Sequence, residues 1–355
     1  MTGETGRRRA QVIGIGMIGG SVAAALRGQG WHVTGDDVAP GRAEEAKALG
    51  FVDAVGIDDG AEITFVATPV SAIAERSRAA LERGGIVTDV GSVKATVVDA
   101  VAHPRFIGGH PMAGSERDGL DGVDPDLFSG ATWVLTPSAL TDPEVYVQVH
   151  NVVTELGASI VTLDAQEHDD IVATVSHVPH FAAVALMVLA LQRSHKHEAV
   201  LRLAATGFRD MTRIAAGHPR LWADIAVANR DALVEGLEHL VTGIDELREL
   251  VASGERDRLE AVLAEASTAR RELPLRAGRP SGLVLLRIPI PDRPGALGEV
   301  LGVFGELRVN VEDLEIAHDI KGDRGTLQVT VAVESGERVR DALAAKGMRI
   351  AMEAM

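Results

Sequence analysis

Histidine is the side chain whose charge changes nearest neutral pH, so a histidine set among small residues just after a strand is a natural place for proton transfer. His110 has that setting in "GGHPMAGSE", which ends in Ser115 and Glu116; the plainer reading is a packing histidine at a strand end. Upstream, "DVGSVK" puts Ser92 and Lys94 after a glycine, suited to contacts with a cofactor or substrate, or equally to a solvated helix cap. Downstream, "EHDD" carries His168 and Asp169, "SHVPH" carries Ser176, His177 and His180, and "RDMTR" carries Asp210 and Arg213, with Trp222 beyond. His177 and His180 are three apart at a helix start and share a face. With His168 they invite a metal reading, but no H-E-x-x-H pattern accompanies them, so no metal is expected. Arg213 has a guanidinium that stays charged and forks onto a carboxylate. A surface ion pair with Asp210 is its plainer alternative. Trp222 reads as packing.

These groups need a scaffold, and the first element of it is a glycine turn. "VIGIGMIGGS" spells G-x-G-x-x-G with Gly14, Gly16 and Gly19, after an apolar strand and opening a helix through Met17 and Ile18. Such glycines permit a tight turn, close approach of backbone to a pyrophosphate, and close helix–strand packing, with the helix N-terminus toward the anion. The second strand, "HVTGDD", ends in Asp36 and Asp37, where a carboxylate accepts from ribose hydroxyls and repels a 2′-phosphate. NAD is therefore expected over NADP, with the choice between the two aspartates open. In a doubly wound sheet the ligand lies beyond the carboxyl ends of the strands, which adds Thr68 and Pro69 of "ATPV" to Ser92 and His110.

Strand-like runs "AQVIGIG", "HVTGDD", "ITFVATP", "GGIVTDV", "RFIGGHP", "TWVLTP" and "ASIVTL" alternate with helical stretches and predict a parallel sheet over residues 1–165. Residues 166–273 read as helices only. The apolar run Phe181 to Leu191 is too short to span a bilayer and reads as a buried helix, its all-round apolarity requiring cover from a partner subunit. Residues 274–282, rich in Pro and Gly, read as a linker. Residues 283–355 follow a βαββαβ order, an α+β module. The fold class is thus α/β with a doubly wound dinucleotide domain, an all-α helical domain and a small α+β domain. A net charge of -16 argues against nucleic acid or an anionic membrane as partner. The 355 residues include no Cys, which excludes disulfides and thiolate chemistry and suits a cytoplasmic protein.

Taken in order, "GIGMIGGS", "DVGSVK", "GGHPMAGSE", "EHDDIVATVSHVPH" and "GFRDMTRIAAGHPRLW" resemble the prephenate and arogenate dehydrogenases of tyrosine biosynthesis over nearly the whole chain. The resemblance implies a Rossmann-type domain, a helical dimerisation domain, and NAD-dependent oxidative decarboxylation of prephenate to 4-hydroxyphenylpyruvate. Arogenate as substrate is the near alternative, and a non-catalytic nucleotide-linked amino-acid sensor the remote one. It implies His110 as the catalytic group bonding the substrate's ring hydroxyl, and Ser92 bonding that hydroxyl and the nicotinamide region. Arg213 would hold a substrate carboxylate, and Glu116 would join an ionic gate with Arg213 and Asp210. Ser115, Ser176 and His180 fall among the substrate-binding positions; His168 stands open between substrate contact and structural hydrogen bonding. "IPDRPGALGEVLGVFGELRVNVEDLEI" resembles an ACT domain, matching at Asp292, Arg293, Pro294, Gly295 and Asn310. That resemblance implies an amino-acid effector, tyrosine, with dimerisation alone as the simpler use. The expected molecule is a cytoplasmic homodimer.

Overall fold

Short runs of β-branched and apolar residues, buried on both faces, make the central sheet. In chain order the elements are β1 (Arg9–Ile13), α1 (Met17–Gly28), β2 (His32–Asp36), α2 (Arg42–Ala48), β3 (Ala54–Val55), β4 (Ile63–Val66), α3 (Val70–Arg83), β5 (Ile86–Asp89), α4 (Ala95–Val101), β6 (Phe106–Pro111), β7 (Thr132–Thr136), α5 (Pro143–Glu155) and β8 (Ser159–Thr162). The computed structural model describes residues 6–354 apart from 115, 116, 118, 198, 273–282, 292 and 319–323. The strands lie in the order β3-β2-β1-β4-β5-β6-β7-β8. Chain direction reverses its progress across the sheet between β1 and β4, the switch point where such sheets bind ligands. One face is packed by α1 and α5 through Val22, Leu26, Val149 and Val152, the other by α3 and α4 through Ile73, Val97 and Val98. Phe65 and Trp133 meet edge to face with centroids 6.3 Å apart, and burying each contributes roughly 2–3 kcal/mol.

Two features depart from the sequence expectation of a parallel sheet. The two-residue β3 was not anticipated, being too short to carry a pattern. β7 runs antiparallel to β6, pairing His110 with Val134. Among the described residues between those strands the chain forms a short 3-10 turn, Gly119–Gly122, and no crossover helix, which fits its return along the neighbouring edge in the opposite sense.

The helical part begins with α6 (Ala165–Val172), capped by Asp164, whose carboxylate accepts from the Gln166 and Glu167 N–H groups. A π turn, Ala173–His177, passes directly into α7 (Val178–Ser194). Then follow α8 (Ala199–Arg202), α9 (Thr206–Thr212), a 3-10 turn Arg213–Ala216, α10 (Pro219–Ala228), α11 (Arg230–Ser253) and α12 (Arg256–Glu272). The expectation that Phe181–Leu191 is a buried helix too short for a bilayer is corrected here. The helix is continuous over Ala165–Ser194, 30 residues, long and apolar enough to cross a membrane by length and composition, and only 33% of its apolar window is buried within the chain. Val188, Leu189 and Leu191 are 44%, 52% and 49% exposed. The polar segments "EHDD" and "SHVPH" interrupt the apolar pattern but not the backbone helix.

The chain divides into two compact units, Met1–Ala266 and Ser267–Met355. In the second, β9 (Leu283–Pro291), α13 (Ala296–Leu307), β10 (Asp313–His318), β11 (Arg324–Ala332), α14 (Val333–Ala345) and β12 (Ala351–Ala354) reproduce the expected βαββαβ order. The antiparallel sheet, ordered β10-β11-β9-β12, packs Leu286, Ile288, Leu327 and Val329 against Val300, Phe304, Val339 and Leu343. The linker expected at 274–282 lies outside the described residues.

Candidate active site

The glycine turn has the shape that a dinucleotide needs. Gly14 has φ +94, and a Cβ on it would come within 2.5 Å of the Ala67 carbonyl oxygen. A Cβ on Gly19 would fall 2.0 Å from the Gly14 carbonyl oxygen, so helix α1 packs against its own turn only because this residue is glycine. A Cβ on Gly16 would meet nothing within 4 Å, which leaves open space at the N-terminus of α1, beside the half-buried Met17 and Ile18. Asp37 braces the turn: its Oδ2 accepts from the Ile15 N–H at 2.7 Å and its Oδ1 from the Ala39 N–H at 2.8 Å. Asp36 contributes its backbone carbonyl, which accepts from Gly14. Past β4, Thr68 has a buried hydroxyl oxygen with no protein partner, and Pro69 starts α3. An open helix N-terminus, a fixed carboxylate and a sealed hydroxyl without a partner fit a bound NAD.

His110 sits at the end of β6, 9% exposed. Two glycines before it allow close packing on both sides: a Cβ on Gly108 would lie 2.3 Å from Thr136 Oγ1, and one on Gly109 would lie 2.5 Å from the Asp89 carbonyl oxygen. Beneath the strand runs Lys94, wholly buried, with its ammonium bonded to Asp89 Oδ2 and donating to the Gly109 carbonyl at 2.8 Å. Asp89 also accepts from the Gly91 N–H at 2.9 Å and the Gly109 N–H at 3.1 Å, so one buried pair ties the Gly91 turn to the strand that carries His110. Lys94 therefore does not face a cofactor or substrate, as its place in "DVGSVK" suggested; burial pushes its ammonium below its ordinary value, and Asp89 opposes that. Ser92, half-buried between β5 and α4, makes no hydrogen bond among the described residues.

The helical part supplies the wall behind His110. His110 Nδ1 lies 2.8 Å from His168 Nε2, and His168 Nδ1 lies 2.8 Å from Asp169 Oδ1. His168 is wholly buried, with its ring nitrogens engaged by His110 and Asp169; of the two uses that the sequence left open, this is the structural hydrogen bonding. Asn229 donates to the Asp169 carbonyl at 2.8 Å and its amide nitrogen lies 3.3 Å from His177 Nδ1. Trp222 does more than fill space. It stacks on His180 at 3.5 Å and 8°, and meets His177 edge-on at 6.1 Å. Gly217 makes room for that indole, since a Cβ there would lie 2.5 Å from Trp222 Nε1. Burial holds all three of these rings neutral: His110 falls well below its ordinary value, mainly by desolvation and then by His168, Lys94 and His177. Desolvation likewise brings His177 to about 4 and lowers His180, whose Nδ1 is buried without a partner. Ser176 is half-buried in the π turn, and Arg213 is exposed at the start of its 3-10 turn. Ser115 and Glu116 lie outside the described residues.

The π turn explains how one helix presents these rings together. The twelve-residue step from His168 to His180 would turn them about 120° apart on a regular helix. A single wide turn subtracts roughly 90°, which brings both rings nearly onto one face.

Comparison with known proteins identifies the domains. Residues 22–162 match the nucleotide-binding domain of prephenate dehydrogenase, residues 164–265 its dimerization domain, and residues 284–346 the ACT domain. The prephenate dehydrogenase of Bacillus subtilis is 31% identical over 335 residues, 89% of this chain and 90% of that one. The chain belongs to the prephenate dehydrogenase family. Among solved structures, prephenate dehydrogenase from A. aeolicus, in complex with hydroxyphenyl propionate and NAD+, superposes with a TM-score of 0.71 at 28% identity, covering 77% of this chain and all of that one. Synechocystis arogenate dehydrogenase gives a TM-score of 0.67 at 31% identity, covering 75% of this chain and all of that one. The dimerization-domain match gives the exposed apolar face of α7 its physical reason: a dimerisation domain leaves apolar surface uncovered in a single chain.

In the ACT domain, Gly295 takes φ 88 at the start of α13, a conformation that favours glycine. Arg293 pairs with Glu299 at 2.8 Å, Pro294 is exposed between them in sequence, and the Asn310 amide donates to Glu312 Oε1 at 2.6 Å. Asp292 lies outside the described residues.

Proposed function

We propose that this chain is an NAD-dependent prephenate dehydrogenase that converts prephenate to 4-hydroxyphenylpyruvate and carbon dioxide, with His110 as the proton acceptor. The observation that carries the role of His110 is a buried, neutral imidazole at the carboxyl edge of the sheet that also carries the glycine turn. Bound NAD would supply the hydride acceptor for the carbinol carbon of the ring. Gly14, Gly16 and Gly19, with Met17 and Ile18, would hold its pyrophosphate side, Asp37 its ribose, and Thr68 and Pro69 would make further contacts. His110 takes the hydroxyl proton as the carbinol carbon becomes a carbonyl, while Ser92 orients that hydroxyl. The ring then receives the electron pair of the carboxylate bond as carbon dioxide departs, aromatisation drives the step, and the phenolate oxygen so formed takes the proton back from His110. Arg213 holds a substrate carboxylate without protonating it, and His180, Ser176, Ser115 and Glu116 are the further substrate-binding residues of this reading.

Arogenate is a second reading, supported by the likeness to the Synechocystis enzyme. It calls for the same proton and hydride steps, since it differs only in carrying an amino group where prephenate has a keto group. We further take the working form to be a cytoplasmic homodimer, with the ACT domain binding tyrosine through the segment 292–295 and Asn310. Replacing His110 by Asn tests the reading: turnover should fall by about 10² or more while NAD affinity changes little. Unchanged turnover would remove His110 from the chemistry.

A further inference from the structure

The donors and acceptors behind His110 fix where its protons sit. Both oxygens of Asp169 accept backbone N–H bonds, Oδ1 from Lys94 at 2.7 Å and Oδ2 from Ala95 at 2.8 Å. A carboxylate held by donors in this way has only acceptor capacity left, so His168 Nδ1, 2.8 Å from Oδ1, is the donor of that bond. With that one proton on Nδ1, His168 presents Nε2 as an acceptor, 2.8 Å from His110 Nδ1. His110 must carry its proton on Nδ1. Its Nε2 keeps the lone pair and takes no partner among the described residues.

We infer that His168, backed by Asp169, is a positioning residue that holds His110 in the tautomer with Nε2 bare and shares the proton that Nε2 receives. The inference rests on His110 being the proton acceptor. As the substrate's O–H bond breaks and an Nε2–H bond forms, the Nδ1 proton of His110 shifts along its hydrogen bond to His168 Nε2. The positive charge thereby comes to lie on His168 against the carboxylate of Asp169, and the hydride leaves separately for NAD. As the ring aromatises, the reverse shift returns the proton through His110 Nε2 to the phenolate oxygen, so that the product leaves with its hydroxyl and no net proton is released. The rings meet edge to face at 75° with centroids 5.1 Å apart. The remaining titratable neighbours do not compete for this role: Lys94 is spent on Asp89 and the Gly109 carbonyl, and His177 faces Asn229.

Nitrogen-15 NMR of the histidines in the full-length enzyme tests the tautomer without any substitution. Protonated Nδ1 and bare Nε2 are expected on both His110 and His168; a proton on His110 Nε2 would overturn the inference. Kinetics tests the consequence. Glutamine at 168 can accept from His110 Nδ1 but cannot take its proton, whereas leucine can do neither. His168→Gln should therefore lower kcat about 10-fold and His168→Leu about 10²-fold or more, each with KM for prephenate within about 3-fold of wild type. Equal losses in both variants accompanied by a raised KM would mean a packing role, and wild-type kcat in His168→Leu would mean no role; either result overturns the inference. His110→Asn in the same series separates the two ideas. A dead His110→Asn beside a fully active His168→Leu removes only the relay, while an active His110→Asn removes the proton acceptor itself.

Discussion

At the residue scale, the proposed reaction calls for an uncharged base, and burial holds the imidazole of His110, at the end of β6, well below its ordinary value. The side chains legible in the sequence are those whose type is dictated locally. Gly14 and Gly19 leave no room for a Cβ, and His110 follows two glycines that are equally constrained. Asp89, Lys94, Asp169 and Asn229 were not legible as a network because their partners lie far along the chain: Lys94 meets Asp169 across 75 positions and Asn229 meets it across 60. Asp37 offers a sharp prediction at this scale. Its carboxylate braces the glycine turn, so Asp37→Ser should raise KM for NAD by about 10-fold or more and improve the rate with NADP relative to NAD, measured as the ratio of kcat/KM values. An unchanged ratio would place the ribose elsewhere.

At the element scale, two structures decide the site, and neither could be read from hydrophobic periodicity. The antiparallel return of β7 follows from a connection that lacks a crossover helix, and the 20-residue stretch before it gave no strand or helix signal either way. The π turn in Ala173–His177 changes the face on which later residues fall, an effect that 3.6-residue periodicity cannot register. It also let the helix run on where the polar residues seemed to break it, which is why Phe181–Leu191 was read as an isolated buried helix. The exposed apolar face that results belongs to the dimerization domain, and Leu189 sits on it at 52% exposure. Leu189→Asp should shift sedimentation from dimer toward monomer at micromolar concentration, because a charge in an apolar interface costs several kcal/mol. An unchanged dimer would place the interface on another face.

At the scale of the whole molecule, the order of domains was legible because each has its own pattern: strand–helix alternation, then helices, then βαββαβ. Three buried histidines make folding stability depend on pH. The folded chain keeps His110, His177 and His180 neutral below their ordinary 6.5, with His177 reaching about 4, so between these values the unfolded chain binds more protons. Stability is present above about pH 6.5 and is lost as pH falls, for His177 by about 1.4 kcal/mol per pH unit down toward 4, with His110 and His180 acting in the same direction. Tm measured at pH 7.5, 6 and 5 should fall steadily; a flat profile would mean that these rings are not held neutral. For the C-terminal unit, tyrosine should inhibit the full-length enzyme and lose most of its effect on a chain ended near Gly282, whereas equal inhibition of both would refute regulation through that unit. The central claim is the reaction itself, and initial rates of the full-length enzyme with prephenate and with arogenate, each with NAD and with NADP, test it most directly. NADH formation with prephenate and NAD, matched by release of carbon dioxide, is the predicted result. Absence of NADH with both substrates would contradict the account.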